Sequence, residues 1–307
     1  MRTRPGILCA SESRTCTQMI PNGTRTMYRR KRIAVAIAAY NEEGFVADVV
    51  STIPQYVDAI YVVDDASTDN TATVLRQLVD SRLRVLTHDR NRGVGAAFTT
   101  AFHVALAEGA DIVATMAGDG QMDPQILHLF LDPMVDEYAE YTKGDRFSNP
   151  IHRRGMPRHR VLGTQVLNRL TRIASGYGHI GDAQAGYTAC DARVLQRMNL
   201  AELSRSGYAF ENLILIQLHA IRARVLNISH PARYGKEQSS LRLLPFIVHA
   251  SLVLTHGFLW RLITEARAAV RGGAKSVLDK RLCFPQCTTV AHAATTRVPL
   301  PDRKETE

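Results

Sequence analysis

The sequence predicts a mixed α/β fold with a mainly parallel central sheet. Short apolar runs typical of buried strands alternate with segments whose apolar residues recur at helical spacing. Polar clusters follow these runs at the point where each strand ends. Because strand–helix–strand units place helices on both faces of a sheet and ligands at its carboxyl edge, we expect a large α/β domain with a site at that edge.

The elements are predicted in chain order from their apolar pattern. Four strands are expected over IAVAIAAY (33–40), AIYVVDD (59–65), Leu83–Thr87 and Asp111–Thr115. Helices are expected between them over 43–56, from Asp69 or Thr71 onward, and over Gly95–Glu108. Later helices are predicted over 124–136, 161–175, 210–222 and 241–266, and later strands near 138–143 and 224–229.

The length of 307 residues suits one large domain with appendages. We expect a basic, disordered extension over 1–31, a catalytic domain over 32–240, an apolar helical segment over 241–271 and a disordered tail over 272–307. Residues 243–260 contain no Lys, Arg, Asp or Glu but are interrupted by proline, histidines and glycine. A helix lying in the lipid headgroup region, or packed on the domain, is therefore favoured over a spanning helix.

The charge indicates an anionic partner. A net charge of +9 fits phosphorylated ligands, an acidic membrane surface or nucleic acid. Nucleic-acid binding is disfavoured because few aromatic residues are interleaved with the basic ones. Five cysteines, an odd number without a regular framework, favour a reduced, intracellular setting.

Four polar clusters are expected at the carboxyl edge of the sheet. Each one alone fits helix capping or a turn, but four on one edge favour a site. Asp64 is expected to cap its own loop, and Asp119 lies between two glycines. The clusters are YNEE (40–43), DDASTD (64–69), NRGVGA (91–96) and GDGQ (118–121).

Eight motifs follow one another along the chain: AAYNEE, VVDDASTDNT, NRGVGAA, MAGDGQMDP, KGDRF, DAQAGY, GYAFEN and RYGKEQSS. In this order and spacing they resemble the family-2 glycosyltransferases of GT-A fold, and most closely the polyprenyl-phosphate (dolichyl-phosphate) mannosyl- and glucosyltransferase branch. The resemblance runs from about Arg32 to Leu241.

This resemblance implies a nucleotide-diphosphate sugar donor, a UDP- or GDP-sugar. It implies that the nucleotide pocket is lined by Ala39, Tyr40, Glu42, Asp65 and Gly93, with Asp65 bonding the base. A buried carboxylate that accepts from base N–H groups would reject bases that cannot donate. The family is inverting, which fits a single in-line displacement.

The resemblance also implies Mg²⁺ or Mn²⁺ at an Asp-x-Asp pattern, and here the sequence departs from the family. Ala117 replaces the first acid, leaving Asp119 and Gln121 as ligands. Substrate phosphates and water are able to complete the shell of such a hard cation. We therefore expect weakened metal affinity.

Cations and acids of the later motifs complete the implied site. Arg146, Arg233 and Lys236 match family positions that would stabilise the leaving diphosphate. Asp182 is the best candidate for a base and Glu211 the second, although a lipid monophosphate acceptor needs none because it is largely dianionic at neutral pH. The basic loop 152–160 is a candidate for holding a lipid phosphate.

The resulting hypothesis is a transferase at the cytoplasmic face of a membrane, with a polyprenyl-phosphate or other lipid-linked acceptor. A soluble glycan-extending transferase and an inactive sugar-nucleotide-binding protein stay open as alternatives. A dinucleotide oxidoreductase is disfavoured, because Phe98 stands where the third glycine of its fingerprint belongs and the loop follows the third strand.

Overall fold

The computed structural model of the chain describes residues 28–231 and 250–263. All of them belong to one compact unit, Met1–Thr264. The expected tail over 272–307, most of the expected extension over 1–31, and residues 241–249 of the apolar segment lie outside the described residues.

The described residues contain a sheet of seven strands: β1 Ile33–Ala39, β2 Ala59–Asp64, β3 Leu83–Thr87, β4 Ile112–Ala117, β5 Tyr141–Asp145, β6 Thr188–Asp191 and β7 Val225–Ser229. Their order in the sheet is β3-β2-β1-β4-β6-β5-β7. Neighbouring strands are parallel except at β6, which runs antiparallel to both β4 and β5. The predicted mainly parallel sheet is confirmed, whereas β6 lies in a segment for which no strand was predicted.

The predicted helices occur in the expected order with shifted ends, whereas the short helices Ala192–Leu195 and Leu200–Ser204 lie in segments for which no helix was predicted. The first is much shorter than the predicted 43–56, and the second ends at Gln77, so that Val79 is fully exposed beyond its end. They are α1 Val46–Ser51, α2 Thr71–Gln77, α3 Val94–Ala107, α4 Leu127–Val135, α5 Arg158–Ser175, α6 Ala192–Leu195, α7 Leu200–Ser204 and α8 Phe210–Ala220. Short 3-10 helices cover Pro124–Ile126, Pro150–Arg153 and Gly207–Ala209.

The core has one layer on each face of the sheet, because successive strand side chains point to opposite faces. Along β1, Ala34 and Ala36 pack with α3 and α8, whereas Ile33, Val35 and Ile37 pack with α1 and α4. Apolar residues therefore fill both sides of β1, which accounts for its unbroken apolar run.

Residues 250–263 form a helix that packs on the domain through one face. Its buried Leu254 clusters with Ile216 of α8 and Ala174 of α5. Gly257 permits this close approach, since a Cβ at that position would lie 2.3 Å from Ile216 Cδ1. Within the part of the chain that the structure describes, no helix is both long and apolar enough to cross a membrane.

Candidate active site

The loops that follow β1 and β2 are tied together at the carboxyl edge of the sheet. The Asn41 N–H donates to Ser67 Oγ, and the Asn41 side-chain oxygen accepts from the Thr68 N–H at 2.8 Å. Asp64 accepts from the Ser67 N–H, so its predicted capping role is confirmed. Asn41 has a φ of 58°, which a short polar side chain tolerates better than most residues. These bonds fix a polar rim beside Tyr40.

Asp65 is buried and bonded to three neighbouring residues. One carboxylate oxygen is 2.6 Å from His88 Nδ1 and accepts from the Arg92 N–H, and the other accepts from the Gly93 N–H at 2.7 Å. The Asp65 backbone N–H donates to the Ala39 carbonyl. Asp65 thus anchors the loop that opens α3, and it brings Ala39 and Gly93 to one place.

The turn after β4 lies against the loop after β1. A Cβ on Gly118 would be 3.3 Å from Ala39 Cβ and 3.5 Å from Glu42 Cγ, which shows how closely the two loops approach. Asp119 follows directly and accepts from the Gln121 N–H at 3.0 Å. Glu42, Asp119 and Gln121 therefore share one stretch of the sheet edge.

The antiparallel strand β6 brings a distant segment to the same edge. Thr115 of β4 pairs with Thr188, and its hydroxyl donates to the Gly186 carbonyl at 2.8 Å. One small cleft is lined by four segments: the turn after β4, the end of β5, the loop before β6 and the residue after β7. Its lining residues are Gln121, Met122, Arg146, Ala185, Gly186, Tyr187 and His230.

Arg146 and Asp182 form a two-pronged ion pair beside this cleft. Arg146 Nε donates to Asp182 Oδ2 at 2.6 Å, and Nη2 donates to Oδ1 at 3.2 Å. The Asp182 side chain has no exposed surface, and that of Arg146 is 11% exposed. Because both side chains are largely buried, a charge left unpaired at this position would strongly destabilise the folded protein.

Lys143 and Glu211 form a second buried ion pair in the same region. Lys143 Nζ donates to Glu211 Oε2 at 2.5 Å and to the Ala185 carbonyl at 2.7 Å. Burial raises the pKa of Glu211, and the Lys143 ammonium opposes that rise. Lys143 had no assigned role in the sequence analysis. The available signal was its place at the end of a predicted strand and at the start of the KGDRF motif.

His230 lines the small cleft, and Asp145 is the last residue of β5. His230 Nδ1 bonds the Pro231 carbonyl, while its buried Nε2 has no hydrogen-bond partner. Burial lowers the pKa of His230, so the ring is neutral at neutral pH. Burial also raises the pKa of Asp145, which accepts from the Phe147 and Ser148 N–H groups.

The turn after β4 offers oxygen ligands for a divalent cation, although too few to fill its coordination shell. Asp119 and Gln121 offer a carboxylate and an amide oxygen, which are donors that Mg²⁺ and Mn²⁺ prefer. Among residues 28–231 and 250–263, no group of three or more His, Cys, Asp or Glu side chains is arranged to hold a metal ion. A cation here would need phosphate oxygens and water to complete its shell.

A separate open cleft of about 180 Å³ lies between α5 and the chain after Arg146. Arg153 stacks over the Phe147 ring at 5.5 Å, and Arg172 donates to the Ile180 carbonyl. The lining contains three arginines and no acid. The lining residues are Phe147, Arg153, Gln165, Asn168, Arg169, Arg172 and Gly181.

The structure thus brings the predicted residues into two adjoining groups. Ala39, Tyr40, Glu42, Asp65, Gly93, Asp119 and Gln121 lie along the edge formed by the loops after β1, β2, β3 and β4. Arg146, Asp182 and Glu211 lie beyond β4. Arg233 and Lys236 fall outside the described residues.

Comparison with known proteins identifies relatives. Residues 34–198 match the family described as glycosyl transferase family 2. The chain is similar to a UDP-N-acetylglucosamine–dolichyl-phosphate N-acetylglucosaminyltransferase of Methanococcus voltae, with 31% identity over 54% of this chain and 72% of the relative. It is also similar to a polyprenol monophosphomannose synthase of Mycolicibacterium smegmatis, with 29% identity over 61% of this chain and 71% of the relative.

Solved structures share the fold. Glucosyl-3-phosphoglycerate synthase from Mycobacterium tuberculosis, in complex with Mn²⁺ and UDP-glucose, superposes with a TM-score of 0.54 at 19% identity. The match covers 73% of this chain and 77% of the synthase. At this identity the likeness concerns the fold alone, and it confirms the expected GT-A architecture.

Proposed function

The chain belongs to glycosyl transferase family 2, and we propose that it moves a sugar from a nucleotide-diphosphate donor to a lipid phosphate, polyprenyl phosphate, with inversion. One observation carries the acceptor assignment: Arg146, which lines the small cleft together with Gln121, begins an arginine-rich segment, 146–181, that contains no Asp or Glu. The dolichyl-phosphate and polyprenol acceptors in the names of the two relatives support the same choice.

The donor would lie along the loops after β1 to β4. In this arrangement Ala39, Tyr40 and Asp65 contact the nucleoside, and Glu42 faces the turn that carries Asp119. Asp65 already receives bonds from Gly93 and His88, so it would act on the base from a fixed position. Pre-positioned polar groups discriminate between bases because an analogue that lacks the matching donor leaves them unpaired.

A divalent cation, Mg²⁺ or Mn²⁺, would be held by Asp119 and Gln121 together with donor phosphate oxygens, and it would supply charge neutralisation for the leaving diphosphate. The metal-bound synthase with the same fold supports this expectation at the level of the family. Arg233 and Lys236 stay candidates for the same phosphate oxygens.

The transfer step needs an acceptor oxygen facing the anomeric carbon. A phosphate oxygen of the acceptor would form the new bond to C1, and the old C1–O bond would break with its electron pair leaving on the nucleotide diphosphate. A lipid monophosphate has a second pKa of about 6 and is largely dianionic at neutral pH, so the step requires no general base. Asp182 then positions Arg146, and the guanidinium stabilises phosphate charge.

A hydroxyl acceptor is the second candidate, and Glu211 is the observation that favours it. Its pKa is raised by burial, which moves a carboxylate toward the range that suits a general base. The enzyme would in that case extend a glycan. An inactive sugar-nucleotide-binding protein, motivated by Ala117, predicts donor binding without turnover.

The test incubates the full chain with a panel of UDP- and GDP-sugars and polyprenyl phosphate, with and without Mg²⁺ or Mn²⁺. We expect one donor to give a glycolipid, detected by mass spectrometry, together with stoichiometric nucleotide release. Transfer to free glycans but not to polyprenyl phosphate would favour the hydroxyl acceptor. Tight donor binding with no product from any acceptor would overturn the enzymatic assignment.

A further inference from the structure

The outer face of α5 carries an apolar stripe that is exposed to solvent. Leu162, Val166, Leu170 and Ile173 are each about half exposed or more. At 3.6 residues per turn these positions fall within about 80° of the helix circumference. Isolated exposed leucines need no explanation, but a continuous stripe of four marks an interaction surface.

The helix over 250–263 extends this surface on one side. Leu254 and Phe258 cluster with Leu167 and Ala174 of α5, which lie next to the Leu170 edge of the stripe. Its outward side chains include the exposed Leu252, Leu259 and Trp260. Of the seventeen large apolar side chains that are exposed among the described residues, nine lie on these two helices.

The opposite edge of the stripe is cationic. Arg158 and Arg169 are exposed there, and Arg169 also lines the open cleft with Arg153 and Arg172. The whole segment 146–181 contains seven arginines and no Asp or Glu. A narrow apolar stripe with an arginine-rich border is the pattern of a helix that lies in the plane of a bilayer interface.

We propose that α5 and helix 250–263 form a membrane-docking surface for an anionic lipid bilayer. The apolar side chains enter the boundary between headgroups and acyl chains, and the arginines bind lipid phosphates. The arginine-lined cleft is smaller than the roughly 300–1,000 Å³ of a drug-sized ligand site, which suits a headgroup phosphate. We define the docking surface by Leu162, Val166, Leu170 and Ile173 with Leu252 and Leu259.

The position of this surface in the chain connects it to the site. The segment leaves the site at Arg146, contains α5, and returns at Asp182, where its two ends are joined by the ion pair. A bilayer bound to α5 would therefore lie on a segment whose two ends are both in the candidate active site. This link between the docking surface and the site rests on the proposed function, in which a lipid phosphate reaches Arg146 from the docked membrane.

The test is cosedimentation of the full chain with vesicles of phosphatidylcholine alone or of equal parts phosphatidylcholine and phosphatidylglycerol. We expect binding to the anionic vesicles that weakens with salt. The double variant Leu162→Ser/Leu170→Ser should lower the partition coefficient about tenfold or more, because the apolar insertion is lost. Arg158→Gln/Arg169→Gln should lower binding to anionic vesicles selectively.

The matched control is Val79→Ser/Tyr138→Ser, which removes exposed apolar side chains elsewhere and should bind vesicles like wild type. Equal vesicle binding by wild type and the α5 variants would overturn the docking surface. So would a dimer, detected by light scattering, that Leu162→Ser/Leu170→Ser dissociates while vesicles stay unbound.

A separate arm distinguishes this inference from the proposed function. Transfer by wild type to polyprenyl phosphate dispersed in detergent, without any vesicle binding, would overturn the docking surface and retain the acceptor assignment. Stripe-dependent vesicle binding without transfer to any lipid phosphate would retain the docking surface and overturn the acceptor assignment.

Discussion

Arg146 and Asp182, 36 positions apart in the chain, form two hydrogen bonds of 2.6 and 3.2 Å, and both side chains are largely buried. The pair joins the end of β5 to the loop before β6. It therefore fixes the relative position of two segments that the sequence alone leaves independent.

Asp182→Asn should destabilise the protein by about 3–5 kcal/mol, since it removes the carboxylate that pairs with the largely buried guanidinium of Arg146. The midpoint of urea unfolding measures this loss. Asp191→Asn is the matched control, because Asp191 also bonds an arginine in two-pronged fashion, but that Arg193 is 79% exposed. The control should cost less than about 1 kcal/mol. Equal losses in both variants would contradict the importance of burial.

Asp119→Asn should lower nucleotide release by at least about tenfold, as expected for loss of the single carboxylate among the two proposed metal ligands. Titration of turnover with Mg²⁺ and Mn²⁺ provides the measurement. Asp123→Asn serves as the control, because Asp123 caps the adjacent 3-10 helix by accepting from the Gln125 N–H and asparagine also caps well. An unchanged metal dependence in Asp119→Asn would remove the metal assignment.

Gly181→Ala should destabilise the protein by about 1–3 kcal/mol, which is the usual cost of overpacking a closed site. A Cβ at Gly181 would lie 1.7 Å from Asp145 Oδ2, and the bonds from Phe147 and Ser148 hold that carboxylate in place. Gly178→Ala is the matched control, since its Cβ would meet nothing within 4 Å. Thermal unfolding should show a large loss for the first variant and a change within about 0.5 kcal/mol for the second.

His230→Asn should flatten the dependence of stability on acid pH. Burial lowers the pKa of His230 in the folded chain, so the unfolded chain binds a proton that the folded chain rejects. The contribution is present above the unfolded pKa near 6.5 and is lost as pH falls through and below it, by up to about 1.4 kcal/mol per pH unit.

Urea unfolding between about pH 7.5 and pH 5.5 measures this difference for wild type and the variant. The variant should lose less stability on acidification than wild type. An equal or steeper loss in the variant would mean that His230 is not the group whose titration destabilises the protein.

The parallel half of the fold could be predicted because its signals are local. Apolar runs ending in polar clusters gave β1 to β4 within a few residues, and β3 at its observed ends. Parallel strands present their carboxyl ends at one edge, so Asp65, Gly93 and Asp119 were expected together before any contact was known. Family resemblance then predicted the chemistry of that edge.

The antiparallel half depended on tertiary structure. β6 has four residues, too few for a periodic signal. Its pairing with β4 brings Gly186 to Thr115, and its pairing with β5 brings Asp182 to Arg146. Lys143 acquires its place only because Glu211 and the Ala185 carbonyl, from distant segments, surround its ammonium.

The sequence by itself determined the parallel part of the sheet, its polar edge and the family. The reason is that buried strands and polar loops each produce a pattern among residues adjacent in the chain. Only the tertiary structure decided which buried charges pair and which face of α5 stays open to solvent. Both depend on contacts between segments that are far apart in the chain.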